Sequence, residues 1–366
     1  MKSFTIICAI LYSLTSTAQD CTDETLLQKS GTWKETSGST SGIAAADLIR
    51  EKKVIASIHA MIKSKYAPMG VKIDFGGAYG SPYPNMLADS YYYHIMAFDL
   101  YCDGNTFKTD DETSTTFQIS ANGFDAEIYD TAQGDRALAE GFNVMPDMPV
   151  EKGGYWDFKE TDVGLGFGVK GKSKAWLITY EGKLPYSYVS KKEFLEKRKI
   201  NLVTSMLAAA AGFKDVLKNI EMEKGLMETE YKNDPEKLAK YLKGYNYTRD
   251  RYEKFLSDNE KKYKPEFDKI EAQLEMSADE LNQTAIVKLD PNANLSSYLF
   301  TDDNDPFGEV LIKPNPGYFN KKIPRSTPQF FWVNIIWNHN DRIATKFKED
   351  IGEAVDFGVL KNMLGK

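Results

Sequence analysis

The feature that most constrains this chain is a charged block in its second half. Residues 190–283 hold 19 basic and 19 acidic side chains in 94 positions, while the other 272 positions hold only 61 charged residues. So dense a mixture cannot be enclosed in a core, because a buried charge without a partner is strongly destabilising. Apolar residues nevertheless recur in the block at steps of three and four. Leu195, Val203, Leu207, Ala210, Leu217 and Ile220 make one stripe; Leu238, Leu242, Tyr245, Tyr252, Leu256, Tyr263, Phe267, Ile270 and Leu274 make another. This is helical spacing. Ser190 and Glu193 have the spacing of a capping box. Asn233-Asp234-Pro235 stops one helix and starts the next, with Asp234 as cap and Pro235 in the first helical position. Pro265 predicts a kink in the second helix. Together these signals predict a long antiparallel helical hairpin of coiled-coil type, with its charges on solvated faces.

Strand patterns lie on both sides of the block. Tyr92, His94, Met96, Phe98 and Leu100 alternate with Tyr93, Ile95, Ala97, Asp99 and Tyr101, a strand with two fairly apolar faces. Residues 115–120 and 124–129 flank Ala121-Asn122-Gly123 and predict a β-hairpin. Further strands are predicted at 155–158, 163–169, 175–180, 284–289 and 309–313. The near-continuous apolar run at 329–337 predicts a central strand. Helices are predicted at 43–65, capped by Ser41, and at 341–354 and 356–364. Trp33 is the expected anchor of the polar stretch 19–42. The fold class is therefore α+β, antiparallel sheet lobes with a long antiparallel helical hairpin between them. The expected organisation is a signal peptide (1–18), an α+β domain (19–189), the hairpin (190–283) and a C-terminal α+β segment (284–366) able to share a core with 19–189.

Residues 1–18 read as an export signal. Lys2 gives a positive start, residues 4–14 are apolar, and Ser16-Thr17-Ala18 is a small-x-small cleavage site that puts the mature start at Gln19. Asp20 directly before Cys21 does not suit a lipoprotein signal. Localisation is therefore expected to be periplasmic or extracellular. Cys8 would leave with the signal, and Cys21 and Cys102 remain, either as a disulfide or as two thiols. The longest later apolar stretch, 202–213, is too short to span a bilayer and reads as a buried helix segment. The net charge of −7 argues against a nucleic-acid partner, which needs a basic face.

Three histidines and three cysteines leave little for a His/Cys metal site, and no cofactor is predicted. Residues 166–173, Gly-Phe-Gly-Val-Lys-Gly-Lys-Ser, satisfy the phosphate-loop expression, but a strand pattern follows where that motif needs a helix. Asp302, Asp303 and Asp305 could offer oxygen to calcium, yet the same residues build surface turns. His59, His94 and His339 stand alone, outside any catalytic signature. Tyr79, Tyr83, Tyr91, Tyr92 and Tyr93, with Tyr101 beyond them, could present flat polar-tipped rings to a glycan or peptide, or pack a sheet.

Residues 176–186, Trp-Leu-Ile-Thr-Tyr-Glu-Gly-Lys-Leu-Pro-Tyr, followed by 189–195, and the closing stretches 314–319 and 328–337, resemble segments of exported bacterial proteins of unknown function. The resemblance implies an exported protein built as sheet, helical arm and sheet, and carries no functional residue. The expected function is non-enzymatic binding, to another envelope protein or to a second copy through 190–283. The alternatives are a glycan- or peptide-binding module using the tyrosines, and an envelope hydrolase.

Overall fold

The computed structural model describes residues 21–81, 87–124, 141–145, 147–166, 168–180, 182–290, 298–305 and 307–366, with backbone alone for Asp23 and Ser81. In chain order the elements are α1 (Asp23–Gln28), β1 (Thr32–Thr36), α2 (Ala45–Lys65), β2 (Val71–Ser81), β3 (Ser90–Asp103), β4 (Thr106–Thr109) and β5 (Thr115–Ala121). Next come β6 (Asn143–Met145), β7 (Val150–Lys152), β8 (Tyr155–Asp157), β9 (Thr161–Gly164), β10 (Lys170–Ile178) and β11 (Tyr186–Tyr188). The helices α3 (Lys191–Glu230), α4 (Pro235–Leu274) and α5 (Ala278–Leu281) follow, then β12 (Ile286–Leu289), β13 (Tyr298–Phe300), β14 (Glu309–Pro314), β15 (Phe331–Trp337), α6 (Arg342–Ala354) and α7 (Phe357–Met363). The fold is α+β, with antiparallel sheets and a long helical pair between the sheet segments of the chain.

Two compact units share the chain: residues 1–123, 160–178 and 321–366 form the first, and residues 124–159 and 179–320 the second. The expected C-terminal segment is thus divided. Residues 284–320 go with the hairpin, and 321–366 complete the core of the N-terminal region.

In the first unit the strand order is β1-β2-β3-β5-β15-β10, with β4 on β3 and β9 on β10. All of these pairs are antiparallel except β1 with β2. β15 is central, as its apolar run predicts, and every residue from Phe331 to Trp337 is buried. β5 pairs with β3 on one edge and β15 on the other, so both of its edges are filled. The expected hairpin of 115–120 with 124–129 therefore does not form at β5; its second arm beyond Phe124 lies outside the described residues. Asn122 adopts a left-handed conformation (φ 57°), which a short polar side chain tolerates. Its amide donates to the Asp89 and Thr327 carbonyls at 3.1 and 2.9 Å, and its Oδ1 accepts from the Gln329 amide at 2.7 Å. The residue expected to turn a hairpin instead ties the approach to β15.

α2 lays Val54, Ile55, Ile58, Met61 and Ile62 into the core. Its cap is Ala44, which makes no side-chain hydrogen bond, and not Ser41. The closing helices form where the sequence predicts them, with Asp341 and Asp356 as the caps of α6 and α7. Trp33 does anchor the N-terminal stretch, from β1, with its ring edge-on to Tyr66 and Phe75. Cys21 and Cys102 are joined in a disulfide that closes 81 residues of chain. Closing a loop of that length removes enough unfolded-state entropy to contribute roughly 4 kcal/mol. Replacing both cysteines by serine should lower the urea midpoint of the first unit by a corresponding amount, without changing its far-ultraviolet spectrum.

Candidate functional site

The hairpin belongs to the second unit and is fixed there by its root. Val189, Phe194, Leu195, Leu202, Tyr263 and Ile270 share one core with Val144, Ala285, Val287, Tyr298 and Leu311 of the five-stranded sheet. That sheet runs β11-β14-β12-β13, with β6 also on β14. The Ser190 hydroxyl accepts the Glu193 amide at 3.1 Å. Glu193 does not complete the capping box, because its carboxylate is drawn to Lys313 at 2.6 and 2.7 Å. At the far end Asp234 caps α4 through the Lys237 amide at 3.1 Å, with Pro235 behind it. α4 runs through Pro265 as one element. Each 40-residue helix is about 60 Å long.

Between the helices the partners step past one another in a constant antiparallel register. Arg198 meets Glu266 at 2.7 and 2.9 Å, the Asn259 amide donates to the Met206 carbonyl at 2.9 Å, the Phe213 ring lies 6.2 Å from that of Tyr252, and Tyr245 donates to Glu221. The buried seam on α4 follows the stripe read from the sequence. On α3 it does so at every position but one. Phe194, Leu195, Arg198 and Leu202 are the buried residues, and Val203, Met206, Ala209, Ala210, Phe213, Val216, Leu217 and Ile220 are half-buried beside them. Leu207, assigned to the inner stripe, is 60% exposed. Ile200 is 60% exposed, Met222 63% and Leu226 67%.

α3 is thus apolar on two sides. Leu207 lies about 140° around the helix from the seam residue Leu202, on a line with Ile200, Thr204 and Ala211. No charged residue occurs from Ile200 to Phe213. By length and composition α3 could cross a membrane, and almost none of its apolar stretch is buried. The uncharged run itself spans only about 21 Å of helix, short of a bilayer core of about 30 Å. The sequence reading missed this outer face because it placed Leu207 in the inner stripe and left Ile200 unassigned. The signal was present in Ile200, Thr204, Leu207 and Ala211, a second 4-3-4 spacing offset from the first. Near the hairpin tip, Tyr231, Tyr241, Tyr245, Lys237, Lys240 and Glu223 line an open cleft of about 470 Å³.

The tyrosine cluster does not form one surface. Tyr91 and Tyr93 are 1% and 0% exposed and belong to the core of the first unit. Burial pushes both hydroxyls above the usual tyrosine range. Tyr92 points to the opposite face of β3, its ring 5.9 Å from that of His94. Tyr79 is half-buried under the Lys52 ammonium, 5.8 Å from the ring centre, and Tyr83 lies outside the described residues. The histidines are not brought together. His59 stacks on Phe75 at 4.0 Å and shares a hydrogen bond with Tyr93 at 3.0 Å. His94 faces the other side of the sheet, and His339 is exposed.

Asp302 accepts the Asn304 amide at 2.9 Å, as an Asx turn does. Asp305 is committed to Lys288 at 2.5 Å and Thr301 at 2.7 Å. Those two bonds, with the Phe307 amide, hold its carboxyl down to about 2. Asp303 contributes its carbonyl to Lys159 at 3.3 Å. Among the described residues no three His, Cys, Asp or Glu side chains gather as a metal site would. Lys170–Ser173 begin strand β10 and no helix follows, so the phosphate-loop expression lacks its anion-binding helix end.

One buried acid also went unread. Glu51 shares the inner face of α2 with Val54, Ile55 and Ile58, a position its spacing gives away, and is 0% exposed. Its Oε2 accepts the Gly80 amide at 3.0 Å, and its Oε1 has no partner. Burial pushes the carboxyl up to about 7 despite that amide, with Asp89 and Asp47 adding to the rise. Compared with known family models, curated proteins and solved structures, the chain matches none of them.

Two predictions follow from these burials. Glu266→Gln leaves the Arg198 guanidinium buried without its counter-charge and should cost about 3–5 kcal/mol of stability in the second unit. The double variant Arg198→Met, Glu266→Leu should recover most of that loss in the same denaturation experiment. For Glu51, the folded state binds more protons than the unfolded state between about pH 4.5 and 7, so stability falls as pH rises through that window. Glu51→Gln should flatten that slope relative to wild type. It should also stabilise the protein above pH 7 by on the order of 2 kcal/mol, read from melting curves across the pH range.

Proposed function

We propose that this chain is an exported, non-enzymatic interaction protein of a cell envelope, with the α3–α4 hairpin as its contact element. The observation that carries the reading is the outer face of α3, where Ile200 and Leu207 stand 60% exposed on a stretch without charge. Soluble surfaces rarely leave contiguous apolar area bare unless something docks there. The hairpin is held rigidly at its root, so that face is presented in a fixed geometry at low entropic cost.

Export is supported by the pattern of residues 1–18, by the Cys21–Cys102 bond, which persists in oxidising compartments, and by the resemblance of residues 176–186, 189–195, 314–319 and 328–337 to exported bacterial proteins. The tyrosine-based ligand reading loses its surface with Tyr91 and Tyr93 in the core.

The test uses the tagged chain in its own host. Mass spectrometry of the envelope fraction should find a chain beginning at Gln19. Mild crosslinking should yield a stoichiometric partner, a different protein or a second copy, which is lost when Ile200 and Leu207 are both replaced by glutamate. A chain that retains residues 1–18 in the cytoplasm contradicts the export reading. A partner retained by the glutamate variant contradicts the hairpin reading.

A further inference from the structure

We propose that the outer face of α3 pairs with the same face of a second copy of this chain, in an antiparallel arrangement about a two-fold axis at Leu207. The inference rests on the contact role of the hairpin given above and names the partner. The argument begins with the charges at the two ends of the apolar stretch. Glu196 and Lys197 precede it, and Lys214, Asp215 and Lys218 follow it; all five are exposed.

At about 100° per residue, Glu196 and Lys214 fall on one flank of the outer stripe, and Lys197 and Asp215 on the other. When two identical helices pack antiparallel about a perpendicular axis, like flanks face each other. Reversing α3 about Leu207 brings Glu196 opposite Lys218, with Lys214 one turn away on the same side, and sets Lys197 beside Asp215. Each contact occurs twice. The ends are therefore self-complementary in charge, the requirement of an isologous interface.

Within one chain these charges are open to such contacts. Among the described residues Lys197, Lys214, Asp215 and Lys218 have no ion-pair partner, and Glu196 has only Lys192 at 3.9 Å, whereas Lys199, on the seam side, is paired with Glu271. Between them Thr204, Ala208 and Ala211 are small enough to let two backbones approach closely. The same reversal sets Met222 and Leu226, 63% and 67% exposed, beside the root of the partner's hairpin.

The experiment is sedimentation velocity on the full mature chain over a concentration series, with three sets of variants. Wild type should sediment as a monomer–dimer equilibrium, and Leu207→Glu, a surface change, should sediment as monomer. Lys218→Glu places acids opposite acids and should weaken the dimer roughly tenfold, while Glu196→Lys combined with Lys218→Glu should restore it. Leu207→Cys should form a covalent dimer on oxidation, and Tyr247→Cys, exposed on α4, should not.

Monomeric wild type at every concentration overturns the proposal. A dimer indifferent to Leu207→Glu and to the charge reversal does the same. So does a monomer that binds phosphatidylethanolamine–phosphatidylglycerol vesicles through Leu207, because the face then serves a membrane. A monomer that captures a different envelope protein through α3 overturns the self-pairing while leaving the contact role of the hairpin intact. Loss of that capture as well removes both.

Discussion

The ion pair between Arg198 and Glu266 sits where the hairpin leaves its sheet, nearly sealed from solvent at 3% and 9% exposure. A charge so placed favours one alignment of the two helices, because a slip parts the guanidinium from the carboxylate it faces. Asn259, donating to the Met206 carbonyl, imposes the same alignment further along. Polar groups of this kind set register in helical pairs at some expense of stability. Everything beyond the root follows from that alignment. Phe213 stacks near Tyr252, Tyr245 reaches Glu221, and the apolar residues left over on α3 face outward together.

The result is a helix with two apolar faces and only one partner. Two helices alone bury a single seam, so the second face of α3 stays bare over about four turns. Its composition has a physical meaning in that setting. Small residues permit close approach, and the absence of charge removes a desolvation cost. The first unit shows the contrasting economy. Tyr91, Tyr93 and His59 look chemical in sequence but are packed inside, as in the stack of His59 on Phe75.

Much of this was legible in the sequence for local reasons. The balanced charge and the 3–4 spacing announced the hairpin, Asp234-Pro235 marked its turn, and the run at 329–337 marked the central strand. The helical pattern at 341–354 and 356–364 located the last two helices. What could not be read was decided by distant partners. Glu193 has capping-box spacing, but Lys313, far along the chain, claims its carboxylate. Asn122 and Gly123 look like a turn, but β15 takes the edge of β5 that a hairpin arm would need. Leu207 looks like a seam residue until Arg198 fixes the rotation of α3. Tyr91 and Tyr93 stand on either side of Tyr92, and which face is the inner one depends on where α2 packs.

The most direct test of the central claim, that α3 carries a second apolar face awaiting a partner, is amide hydrogen exchange followed along both helices as protein concentration rises. Protection across residues 200–213 should grow with concentration while that of residues 246–254, on the back of α4, stays constant. Exchange in 200–213 that is unchanged with concentration, or that slows equally in both helices, would contradict the account.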